Sequence, residues 1–183
     1  MWIKIGIGAA AVIVLLLIVI VTRPDTYHVE RSTTISATPE VVYGHVADFH
    51  KWDAWSPWEK LDPQMKKTYE GTPGTVGASY TWSGNDDVGA GKMTILALEP
   101  NKRISINLQF IKPFESNPKN GFAFEGAGKE TKVTWSMEGT NNFVGKAMSL
   151  FMDMDKMIGK DFEKGLADLK KVTESAPAPA AAN

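Results

Sequence analysis

Three histidines and scattered carboxylates are the groups here that could do acid–base or metal chemistry. His50 stands between Asp48 and Asp53, a spacing that lets an imidazole share a proton with a carboxylate. The same spacing serves to cap a helix end, and that is the reading the residues favour. His28 shares one face of an alternating segment with Glu30, and His45 lies inside a short helical segment. Asp153 and Asp155 are two apart in a helical stretch and point different ways, so they do not share a metal. There is no Gly-x-Ser-x-Gly elbow, no His-Glu-x-x-His and no phosphate-cradling glycine loop; Gly84 to Gly91 reads as a hairpin turn around Asn85, Asp86 and Asp87. Without cysteine, thiolate catalysis, zinc fingers and iron–sulfur clusters are excluded. The expectation is no catalytic residue, no metal site and no cofactor.

The rings carry a stronger signal. Six Trp and eight Phe in 183 residues are enough to build a core or to line a pocket for an apolar ligand. Trp52, Trp55 and Trp58 recur every third residue on one side of a helical turn whose length Pro57 limits, and they either plug one end of the core or form a pocket rim.

Positioning these rings requires a sheet and a long helix. Tyr27–Ser36, Met65–Glu70, Ala78–Ser83, Gly91–Glu99, Arg103–Ile111, Gly121–Glu125 and Thr131–Glu138 read as strands, most of them alternating. Turn residues such as Thr72-Pro73-Gly74 and Pro100-Asn101-Lys102 separate them, which predicts hairpins and an antiparallel meander. Thr38-Pro39-Glu40 opens a short helix after the first strand. Apolar residues from Val144 to Leu169, in steps of three and four, predict one long helix over Phe143–Val172. The fold class expected is α+β: a curved antiparallel sheet of about seven strands around a long C-terminal helix, preceded by one transmembrane helix. A sheet of that width curls more widely than one helix fills. The pocket-lining candidates are therefore Trp55, Tyr80, Trp82, Phe110, Phe122, Phe124, Trp135, Met137, Met148 and Phe151, with Met152, Met154 and Met157 adding adaptable thioethers. For any single ring, plain packing is the competing use.

Ile5 to Val21 is uncharged and, with its flanks, reaches the ~20 residues that span ~30 Å of hydrocarbon. Residues 1–22 are expected to form an uncleaved single-pass anchor, 23–26 a short tether, 27–174 the domain and 175–183 a disordered Ala/Pro tail. Lys4 against Arg23 and Arg31 nearly balances, with a slight lean to an extracytoplasmic domain. A net charge of −1, from 20 basic and 21 acidic residues, argues against nucleic acid as a partner. The partners expected are a lipid bilayer and an apolar small molecule or lipid.

Tyr27-His28-Val29-Glu30-Arg31-Ser32, Thr38-Pro39-Glu40-Val41-Val42-Tyr43, Trp52-Asp53-Ala54-Trp55-Ser56-Pro57-Trp58 and Asp161 to Lys170 resemble the polyketide cyclase/dehydrase-type branch of the START-related helix-grip superfamily (SRPBCC). The resemblance covers about Thr26 to Glu174. It implies a curved sheet gripping a C-terminal helix around a cavity for apolar molecules, and no catalytic signature. Three functions follow as expectations: a membrane-anchored binding module for a hydrophobic molecule, a cyclase, dehydratase or hydrolase acting on such a ligand, and a non-catalytic interaction domain. An acid or histidine facing the cavity favours the enzyme; a filled interior favours the interaction domain.

Overall fold

The structure, a computed structural model, describes residues 2–175, without the side chains at positions 2–5, 9, 11 and 127. Helix α1 (Trp2–Val21) is followed by strand β1 (Thr26–Ile35), helix α2 (Pro39–Val46) and two 3-10 turns, Phe49–Ala54 and Trp58–Lys60. Strands β2 (Lys66–Glu70), β3 (Ser79–Ser83), β4 (Ala90–Glu99), β5 (Arg103–Lys112), β6 (Lys119–Ala127) and β7 (Glu130–Thr140) then run to helices α3 (Phe143–Met148) and α4 (Met154–Ser175).

All seven strands form one antiparallel sheet in the order β1-β7-β6-β5-β4-β3-β2. From β2 to β7 the chain is a meander, as its turn residues require. The first two strands, however, lie at opposite edges. The chain between them must cross the sheet, and it does so through α2 and the Trp-bearing turns, which close one end of the concave face. A register shift at Ile95/Ala97 turns Leu96 outward, 56% exposed, on a strand that is apolar on both faces.

The helix expected over Phe143–Val172 is interrupted. Asn142 caps α3 by accepting from the Gly145 N–H at 2.9 Å, and Asp153 starts a second helix by accepting from the Lys156 N–H at 3.2 Å. Two side-chain caps inside one apolar period divide it, and the period alone does not register them. Ile158, Phe162, Leu166 and Leu169 keep the stripe on the sheet, whereas Phe151, in the break, is 87% exposed.

Helix α4 is fastened to the edge strand by Arg31 of β1. Its Nη1 and Nη2 donate to the two oxygens of Asp155 at 2.9 and 3.0 Å, and its Nε donates to Glu163 at 2.8 Å. The guanidinium lies where a side chain at Gly159 would stand, so glycine is what lets the arginine cross the helix.

The expected transmembrane anchor is contradicted. Among the described residues no helix is long and apolar enough to cross a membrane. Single-pass membrane localisation falls with the anchor, and so does the lean to an extracytoplasmic domain. The expected Ala/Pro tail lies, beyond Ser175, outside the described residues.

Candidate functional site

The concave face of the sheet is divided between a solid half and a hollow half. In the solid half, Trp52, Trp55, Phe122, Trp135 and Phe162 are all at most 2% exposed. Trp135 stacks on Phe122 at 4.8 Å and on Phe162 at 4.2 Å between ring centroids, and Trp52 meets Trp55 at 4.7 Å. Gly165 admits this packing, since a Cβ there would stand 2.8 Å from the Trp135 ring. The buried indole N–H groups are satisfied: Trp52 by the Val46 carbonyl at 2.9 Å, Trp135 by Asn120 Oδ1 at 2.7 Å, Trp82 by the Val88 carbonyl at 3.0 Å. The rings are thus held in orientation as well as buried.

The hollow half is a cavity of about 330 Å³. The sheet supplies Tyr27, Tyr80, Trp82, Met93, Leu108, Phe110, Asn120 and Met137; the Trp turns supply Trp52, Ser56, Trp58 and Glu59; α4 supplies Met154, Met157, Ile158 and Asp161. Met65, Val88 and Ser116 complete the wall. Met157 is also 45% exposed, so the hollow reaches the surface beside the start of α4.

Of the residues expected to line a pocket, Tyr80, Trp82, Phe110 and Met137 do face this cavity. Trp55, Phe122, Phe124 and Trp135 do not: they are buried in the ring-on-ring core beside it. Met148 and Phe151 lie at the surface, 39% and 87% exposed, because the break before α4 swings them off the sheet.

Two acids in the wall escaped the sequence reading. Glu59, its side chain 5% exposed, accepts from the Tyr80 hydroxyl at 2.7 Å through Oε1. Its Oε2 lies 2.6 Å from Lys67 Nζ, an ion contact off the hydrogen-bonding direction. Lys67 is also 2.6 Å from Asp53 Oδ1. Burial pulls the Lys67 ammonium down, but Asp53 and Glu59 together outweigh it and hold it above its ordinary range. Burial, with Glu59 adding to it, raises the Tyr80 phenol far above its ordinary range, so it stays a donor. Nothing in local spacing joins residue 59 to residue 80. Asp161 did carry a signal: it stands four residues after Met157 and three after Ile158, on the apolar stripe of α4. Burial raises its carboxyl, with Lys160 and Lys164 opposing.

The histidines are elsewhere. His50 Nδ1 lies 2.9 Å from Asp48 Oδ1 and the ring stacks on Tyr69 at 4.0 Å, on the outside of the wall. His28 sits at the surface between Glu30 and Glu138, at 3.5 and 3.3 Å. His45 is lowered by burial first and by Lys51 second, and it packs in α2. Among the described residues no group of three or more His, Cys, Asp or Glu is placed to hold a metal.

A curved antiparallel sheet closed over a C-terminal helix, with a hollow between them, defines the helix-grip class. The chain belongs to the family described as "Polyketide cyclase / dehydrase and lipid transport", whose model matches residues 26–174, in the SRPBCC superfamily that its motifs resemble. Among solved structures it is similar to major latex-like protein 151 of Panax ginseng, with 17% identity over 84% of this chain and 100% of that one and a TM-score of 0.61. It is similar also to a protein of Chromobacterium violaceum, with 16% identity, 84% and 100% coverage and a TM-score of 0.58. The Aha1 dimer of Colwellia psychrerythraea gives 18% identity, 81% and 97% coverage and a TM-score of 0.58. At such identities the likeness is one of fold. No curated protein matches the chain.

Proposed function

We propose that the chain is a binding module for a hydrophobic small molecule or lipid, held between the sheet and α4. The observation that carries this reading is the cavity of about 330 Å³, walled chiefly by rings, thioethers and branched aliphatics. That volume falls at the lower end of the range of small-molecule sites, ~300–1,000 Å³. Flexible methionines at its outer end, Met154 and Met157, suit ligands of varied shape. The family description, which includes lipid transport, supports the same reading.

A second reading is favoured by one observation, the two carboxyl groups in the wall. A buried Glu59 bonded to Tyr80, or an Asp161 raised by burial, could move a proton on a bound molecule, which makes the chain an enzyme on the same ligand class. His50 has no part in it, being on the outside of the wall.

Native mass measurement of the purified protein, followed by solvent extraction, tests both. An extractable apolar molecule that survives incubation with the protein unchanged is the expected result. Its conversion by the protein, lost in Asp161→Asn or Glu59→Gln, would make the enzyme reading correct. An interior that neither retains such a molecule nor admits an uncharged apolar dye would overturn both.

A further inference from the structure

The cavity is apolar in most of its wall and one-signed in the rest. Its lining contains two carboxylates, Glu59 and Asp161, and among the described residues no lysine, arginine or histidine. Behind Glu59 stands Lys67, but that one ammonium is shared with Asp53, at 2.6 Å from each carboxylate. Glu59, Asp53 and Lys67 together therefore remain negative. One Glu59 oxygen is buried without an aligned hydrogen bond. Asp161 adds a second negative group from the helix side, and the lysines nearest it, Lys160 and Lys164, are exposed on α4 outside the wall.

A ligand carboxylate placed here would lose its water and find like charge within a low-dielectric wall. A hydroxyl or an ammonium would instead donate to a carboxylate oxygen of the wall. We propose that the cavity selects an amphiphile whose polar end donates hydrogen bonds, an alcohol or an amine, over the same chain ending in a carboxylate. This rests on the binding-module reading and assigns that site a headgroup class.

The test is displacement of Nile red, an uncharged apolar dye, from the full chain by decan-1-ol, decylamine and decanoate below their micelle concentrations. The alcohol and the amine should displace it at concentrations at least about tenfold lower than decanoate, the size of one charge-assisted hydrogen bond. Asp161→Asn should shrink the gap between amine and decanoate several-fold, and Asp161→Lys should move the preference toward decanoate. Equal displacement by all three, or decanoate binding best, overturns the headgroup assignment and leaves the binding module standing. So does a wild-type preference that persists unchanged in both Asp161→Asn and Glu59→Gln. If the dye itself finds no saturable site on the wild type, the binding-module reading fails and this inference with it.

Discussion

The ring of Trp135 lies flat on that of Phe162, their centroids 4.2 Å apart and their planes 6° from parallel. This contact between β7 and α4 divides the molecule's interior. On one side the grip is solid; on the other the same helix and sheet stand apart and leave the cavity.

Phe162 is fully buried, and truncating it removes one side of that stack. Phe162→Ala should cost ~3–5 kcal/mol by chemical denaturation. A loss below about 1 kcal/mol would mean that the helix is not held through this ring.

Arg31 and Gly159 should be coupled. Alanine at Gly159 gains about 1 kcal/mol in helix propensity, but its Cβ displaces the guanidinium that joins Asp155 and Glu163. Gly159→Ala should therefore stabilise more in an Arg31→Ala background than in the wild type. In the wild-type background it should also speed amide exchange in the first turn of α4. Strictly additive effects would contradict the clamp.

Asp161 gives a pH dependence of defined sign. Burial raises its carboxyl in the folded state, so the folded protein binds this proton more tightly than the unfolded chain. Its contribution to stability falls as pH rises from the unfolded value of about 3.9 through the raised folded one. Asp161→Asn should raise the melting temperature at neutral pH and leave it nearly unchanged at acid pH. Asp155 runs the other way. The Arg31 hydrogen bond holds its carboxyl low, so its contribution is present above the unfolded value and is lost as pH falls through the folded one.

Tyr80→Phe strips the donor from Glu59 Oε1 in a site that water scarcely reaches. A cost of ~1–3 kcal/mol is expected in denaturation. Glu59→Gln in that background should recover part of it, because a neutral amide is cheaper to leave unpaired than a charge.

The sheet was legible because alternation and turn chemistry act locally: each of the seven strands sits where its pattern places it. The stripe Ile158, Phe162, Leu166 and Leu169 was legible for the same reason. The division into solid and hollow halves was not. Tyr80 and Trp135 both point inward, and only the packing of Phe162 and the Trp turn decides that one faces a cavity and the other a ring. Phe151 obeyed the helical period and still fell outside, because Asn142 and Asp153 cap two helices where the period shows one. Glu59 had no local signal, since its partner Tyr80 is 21 residues away. Asp161 had one, an acid on an apolar stripe. The anchor inferred from the apolar block at residues 5–21 failed as well, there being no helix long and apolar enough to cross a membrane among the described residues.

The most direct measurement is a Nile red titration of the wild type beside Met93→Trp. Met93 pairs across the sheet with Tyr80 and Leu108, in the middle of the cavity wall. An indole there would fill much of the hollow without cutting a hydrogen bond. A saturable site on the wild type, absent from a Met93→Trp protein of unreduced melting temperature, is the result the account predicts. No saturable site on the wild type, or equal binding by the filled variant, would contradict it.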